Sequence, residues 1–234
     1  MRGLALILLL LAPGCDGDED PAGSDDGAPP LACDEEQERS GEATYYDADG
    51  TGNCSFDASP DDLLVAAMND ADYAGSDACG SCAEVEGPAG SVVVRIVDRC
   101  PGCAPGDIDL APGAFEQIAE LSAGRVPIAW RYISCDVDGP VRYRFKEGTN
   151  PFWTAIQVRN HRHAIASLEA RLAGGDWSPL PRESYNYFVQ ADGLGEGPFD
   201  LRVTDVESNA LEDLQVVPGD GREIAGQSQF PACD

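Results

Sequence analysis

Ser91-Val92-Val93-Val94-Arg95-Ile96-Val97-Asp98 is a run dominated by β-branched side chains, and its reading sets the fold. It is short, apolar and β-branched, so a buried strand is expected, with Asp98 at the strand's end. A carboxylate there stands at the rim of a barrel or sheet, where functional groups gather. Eleven residues on, Asp107-Ile108-Asp109-Leu110-Ala111-Pro112 supplies a second carboxylate, Asp109. The stretch from Ala111 to Ala119 reads as a helix with Phe115, Ile118 and Ala119 on one face. Its N-terminal end is expected to favour Asp109 in the charged form, and helix capping is the structural alternative for that residue.

Working outward, Val126 to Ile133 alternates as a strand does and puts Trp130 in the core. Gly41 to Tyr46 reads as a strand, and Asp47 to Asn53 as turn chemistry from which a catalytic loop could hang. Ser59-Pro60-Asp61-Asp62 before Leu63 to Met68 has the N-cap, early proline and early acids of a helix start. After Asp136-Val137-Asp138-Gly139-Pro140, a boundary candidate, the pattern changes to short alternating segments. These are Val141–Phe145, Thr154–Val158, Ile165–Arg171, Tyr187–Gln190 and Asp200–Thr204, joined by glycine-rich turns, which is the spacing of a β-sandwich. Trp177 reads as packing. His161 and His163 are the only histidines, a weak basis for metal binding, and no metal or cofactor is expected.

Leu4 to Leu11 behind Arg2 is an export leader, too short to span a bilayer. Leu11-Ala12-Pro13-Gly14-Cys15 resembles a lipobox, so Cys15 is read as a lipidation site at a bacterial surface, with plain secretion and an incidental cysteine as the alternative. Asp16 to Glu38 carries ten acidic residues and no basic one and should be a disordered tether. The expected organisation is a leader at 1–15, the tether at 16–38, a first domain at 39–136 and a second at 137–234. The whole chain has a net charge of -27, which makes nucleic acid, anionic lipid and acidic polymers poor partners. A monomer is expected.

Nine cysteines include the pairs Cys79/Cys82 and Cys100/Cys103, whose spacing suits either a four-cysteine zinc site or disulfides. Export into an oxidising compartment, with Cys33, Cys54, Cys135 and Cys233 making an even total without Cys15, favours disulfides.

Taken in order, GEATYY at 41–46, CGSCAEV at 79–85, IVDRC at 96–100, DIDLAPGAFEQIA at 107–119, VPIAWRYISC at 126–135, RFKEGTNPFWTAIQVRNH at 144–161, YNYFV at 185–189 and QFP at 229–231 resemble bacterial members of the expansin family. The resemblance implies an all-β chain: a six-stranded double-psi β-barrel related to a family of endoglucanases, then an immunoglobulin-like sandwich that binds cellulose. It implies loosening of plant cell walls, by disturbing contacts among cellulose and matrix glucans, without hydrolysis. The loosening residues fall at Thr44, Asp98 and Asp109, with Asp109 matching the endoglucanase proton donor. Cys100 replaces an aromatic found in some relatives. The binding platform falls on Phe152, Trp153 and Tyr185 with Lys146 beside them, Phe152 standing where a tryptophan is usual. The implied disulfides are Cys54–Cys79, Cys82–Cys135, Cys100–Cys103 and Cys33–Cys233.

Two other activities compete with that reading. An inverting endo-β-1,4-glucanase needs a base besides the acid Asp109, and Asp47 resembles the residue at which the related enzymes keep theirs. Its structural alternative is a turn aspartate pointing to solvent. Wall lipoproteins with the same barrel act on peptidoglycan, although the aromatic residues of the second half argue for cellulose.

Overall fold

A computed structural model of the protein describes residues 37–172 and 174–232. The leader, Cys15, nearly all of the tether and the Cys33–Cys233 pair lie outside the described residues.

The first half contributes strands β1 (Arg39–Tyr45), β2 (Val65–Asn69), β3 (Cys82–Gly87), β4 (Gly90–Cys100), β5 (Ile108–Leu110) and β6 (Val126–Ile133). They close into a barrel in the order β1-β5-β2-β4-β3-β6. β1 runs parallel to β5 and β2 parallel to β4, while the other four neighbouring pairs are antiparallel. Closure leaves no free edge to attract another strand. Val92, Val94 and Ile96 of β4 meet Ile128, Trp130 and Tyr132 of β6 in the interior. The indole N–H of Trp130 donates to the Gly106 carbonyl at 2.8 Å, so the buried ring has no unpaired polar atom. Helix α2 (Pro112–Ile118) starts on proline, as expected, and buries Phe115 and Ile118.

The expected helix from Ser59 does not form. Ser59 and Asp62 close a turn by a 2.9 Å backbone bond, and the apolar run continues as β2, every residue of which is buried. β2 is paired at both edges, by β5 and β4, and every side chain along it is buried, so no polar helical face is needed. Helix α1 (Asp70–Tyr73), a single turn, follows it with Asn69 as N-cap.

The second half forms two four-stranded sheets from β7 (Arg142–Phe145), β8 (Thr154–Arg159), β9 (Ile165–Leu172), β10 (Ser178–Pro179), β11 (Phe188–Gln190), β12 (Phe199–Asp205), β13 (Ala210–Val216) and β14 (Glu223–Ala225). Their orders are β10-β9-β12-β13 and β11-β8-β7-β14. Tyr143, Phe145, Leu168, Phe199, Leu201 and Phe230 fill the space between. The chain is thus all-β, a barrel followed by a sandwich, and Asp136–Pro140 falls between β6 and β7. Trp177 is not core packing: its half-exposed ring has the guanidiniums of Arg171 and Arg202 at 4.2 and 4.6 Å.

Among the described residues three disulfides form, Cys54–Cys79, Cys82–Cys135 and Cys100–Cys103. They use all four Cys-x-x-Cys thiols and leave none for zinc. Polar bonds join barrel to sandwich. The Cys54 carbonyl accepts from Gln157 Nε2 at 2.8 Å and from Asn186 Nδ2 at 3.3 Å. Arg159 pairs with Asp57 at 2.6 Å, and Arg182 with Asp77 at 3.3 Å.

Candidate functional site

Register places the two aspartates. Ala67 of β2 is opposite Asp98 on β4 and opposite Asp109 on β5, so both carboxylates leave the barrel wall on one face. Two strand spacings put their Cα atoms about 10 Å apart. On the other side of β5, Thr44 is the register partner of Asp109, and its Oγ1 donates to Asp109 Oδ1 at 2.6 Å. The sequence brought these three residues together by resemblance; parallel pairing of β1 with β5 is the physical reason they meet.

Asp109 is not a helix cap. The N-cap of α2 is Ala111, with no side-chain bond. Nor is the charged form favoured as expected from the helix end. Burial pushes the Asp109 carboxyl above its usual range, opposed by the Thr44 bond and the Arg125 charge and reinforced by the Asp98 charge. An acid that holds its proton longer is the form that can donate to a glycosidic oxygen or a sugar hydroxyl.

Asp98 is bound differently. Its Oδ1 accepts the backbone N–H of Asn53 at 2.6 Å and of Arg99 at 2.8 Å. The turn before Asn53 lies against it so closely that a Cβ on Gly52 would sit 2.4 Å from the Asp98 carboxyl carbon. Glycine at 52 is therefore a requirement of the site. Two N–H donors fix Asp98 as an acceptor and orient it.

Tyr46 was missed. Its hydroxyl is buried and has no hydrogen-bond partner among the described residues. Burial, then the charges of Asp98, Asp109 and Asp49, push its pKa upward, so the phenol stays protonated among the acids. The sequence signal was the second aromatic of Tyr45-Tyr46, read as strand alternation and as the lead-in to Asp47. Asp47 is exposed at the apex of a tight turn closed by Ala48 N–H to the Tyr46 carbonyl at 2.9 Å. No described donor or cation engages its carboxylate. Cys100 is half-exposed two residues beyond Asp98, tied to Cys103.

On the sandwich, Phe152 stands 82 % exposed in the β7–β8 connection, with half-buried Trp153 beside it. The Gly193 loop packs beneath: a Cβ there would come within 2.6 Å of the Phe152 Cα. Tyr185 is half-buried and tilted against Tyr187, ring centres 6.0 Å apart. Lys146 Nζ lies 4.8 Å from the Tyr187 ring and 5.9 Å from that of Tyr185.

Asn53 connects the two halves of the surface. Its N–H holds Asp98, and its side-chain amide donates to the Ser184 carbonyl at 2.8 Å, next to Tyr185. Tyr73 OH donates to the same carbonyl at 3.0 Å, and Ser76 Oγ to that of Glu183 at 2.9 Å. Sequence reasoning placed Asn53 in a turn from which a catalytic loop could hang, without giving it a partner. The histidines lie apart from this surface. His161 is buried, and desolvation pushes its pKa down to about 4, so it is neutral. Among the described residues no group of three His, Cys, Asp or Glu side chains could hold a metal ion.

Comparison with known proteins agrees with the architecture. A family profile described as lytic transglycolase matches residues 38–130. Expansin-YoaJ of Bacillus subtilis is 36 % identical over 201 residues, covering 82 % of this chain and 86 % of the relative. Expansin-like protein 2 of Dictyostelium discoideum is 32 % identical over 205 residues, 82 % of this chain but 50 % of that one. A mutant Clavibacter michiganensis expansin, solved in complex with cellohexaose, superposes with a TM-score of 0.78 at 32 % identity, covering 84 % of this chain and 100 % of that chain. Both the barrel and the sandwich fall within these matches, and the chain belongs to the expansin family.

Proposed function

We propose that the protein binds cellulose and related matrix glucans along one surface, from the Thr44–Asp98–Asp109 groove to Phe152, Trp153 and Tyr185, and loosens plant cell walls without hydrolysing them. The observation that carries this reading is the double engagement of Asn53, which fixes the groove against the loop bearing Tyr185. Flat rings stack on the apolar faces of successive sugars, while the groove carboxylates and hydroxyls compete for hydroxyl contacts that would otherwise join one glucan to another. The cellohexaose complex of the Clavibacter expansin supports a glucan ligand. We further propose that the protein is exported as a monomer and anchored through a lipid on Cys15.

The carboxylates support the non-hydrolytic reading. Asp109 can serve as an acid, but inversion needs a free carboxylate across the sugar, roughly 6.5 to 9.5 Å away, to activate water. Asp47 is exposed at the apex of its turn, and Asp98 has an oxygen occupied by two N–H donors. The test is extension of heat-inactivated plant walls under load, with wild type, Asp109→Ala and Asp47→Ala. Creep should be lost in Asp109→Ala and kept in Asp47→Ala, with no reducing sugar released from amorphous cellulose by any of them. Sustained sugar release that disappears in Asp47→Ala overturns the non-hydrolytic reading. A second reading, action on peptidoglycan, is favoured by the lytic transglycolase match; retention by purified peptidoglycan and not by microcrystalline cellulose would select it.

A further inference from the structure

A hydrogen-bonded chain lies outside the glucan surface. Ser134 Oγ is 2.8 Å from His163 Nε2, and His163 Nδ1 is 2.9 Å from Asp205 Oδ2. Ser134 follows the last barrel strand, His163 precedes β9, and Asp205 ends β12, so three distant segments converge. The aspartate is over-determined: the backbone N–H of Asn209 donates to its Oδ1 at 2.7 Å and the Asn209 amide to its Oδ2 at 3.1 Å. The serine segment is equally fixed, since Cys135 N–H donates to the Arg162 carbonyl at 2.8 Å and Cys135 is in a disulfide. His163 and Asp205 are buried, whereas Ser134 is half-buried.

Geometry assigns the protons. With Asp205 accepting from Nδ1–H, the Nε2 lone pair faces the serine hydroxyl, the tautomer a general base requires. A nucleophile, a base within hydrogen-bond reach and a third group that orients the base are the parts of an acyl-transfer site. We propose that Ser134, His163 and Asp205 form a second chemical site, in which Ser134 attacks small neutral acyl esters. Ser134 Oγ bonds to the acyl carbon as its proton passes to His163 Nε2. That proton then leaves with the alkoxide as the ester bond breaks. Water, deprotonated by the same nitrogen, releases the acid and restores the serine. Half-burial limits the acyl group to a small one, and a chain of net charge -27 repels anionic esters.

The test is covalent labelling by a neutral fluorophosphonate, localised by peptide mass, together with p-nitrophenyl acetate turnover. Wild type should carry one adduct, on Ser134, and Ser134→Ala none, with cellulose retention unchanged in that variant. His163→Gln should slow labelling roughly a hundredfold, the usual share of a positioned base. Asp205, a positioning residue, should when changed to Asn lower the limiting labelling rate but not the half-saturating reagent concentration. Loss of fold would not produce that split. If His163→Gln does not fold, urea-unfolded wild type takes its place, and Ser134 must there lose its excess reactivity. No adduct on Ser134 in the folded protein, or an equal rate in the folded His163→Gln or the unfolded chain, overturns the proposal.

Discussion

Replacing Phe152 by alanine separates binding from folding more cleanly than any other single change on the glucan surface. The side chain is 82 % exposed, so truncation uncovers almost no buried area, and folding stability should stay within about 0.5 kcal/mol of wild type. On the function proposed above, what is lost is one ring face for a sugar to stack on. By analogy with aromatic pairs that is worth about 1 kcal/mol beyond area burial, which corresponds to roughly a fivefold weaker dissociation constant. Phe152→Trp enlarges the face and should tighten binding by a similar factor or less. Depletion isotherms on microcrystalline cellulose, paired with thermal denaturation of each variant, give both quantities. Unchanged affinity in Phe152→Ala would refute a stacking role for this residue. A melting temperature lowered by many degrees would show that the exposed ring contributes to the core.

Three further outcomes are expected. Asp109 has a raised carboxyl pKa, so its contribution to stability is fully present below the unfolded value of about 4 and is lost as pH rises through the folded value; Asp109→Asn should therefore melt higher than wild type at pH 7 and equally at pH 3, and the reverse order would contradict the burial argument. Loop-closure entropy predicts that serine replacement of the disulfides costs most for Cys82–Cys135, with separation 53 (about 4 kcal/mol), and least for Cys100–Cys103, with separation 3 (about 2 kcal/mol), an order readable by urea titration. Cellulose retention should change little between low and high salt, because stacking on a neutral polymer uses no ion pair, and pectin should be retained weakly; strong, salt-sensitive pectin binding would contradict both.

Where one signal acted alone, the sequence was legible. The β-branched run to Asp98, the proline-initiated helix after Asp109 and the alternation around Trp130 each became the element expected, because burial pattern and local propensity agreed. Ser59 to Met68 failed because serine, proline and acids serve a helix start and a tight turn equally well, and five buried residues of β2 have no periodicity to separate strand from helix. β13 escaped notice because Glu212, Leu214 and Gln215 face solvent around a single buried acid, Asp213, satisfied by the Tyr143 hydroxyl at 2.8 Å. At the groove, residue types pointed to Thr44, Asp98 and Asp109. Tyr46, Gly52 and Asn53 could not be found that way, since their roles depend on how a turn folds back onto β4 and not on spacing along the chain.

One carbonyl, that of Cys54, receives an amide from β8 and another from the Tyr185 loop, and belongs to a residue cross-linked to Cys79. These bonds brace the joint between barrel and sandwich. A braced joint adapts less readily than a loose linker to what is laid along it, so on the function proposed above a glucan touching both halves is met best when it is already straight. Chains already extended lose little freedom on contact, whereas a glucan with kinked linkages has to be unbent first. On the function proposed above, a braced joint favours straight, stiff polymers over kinked ones.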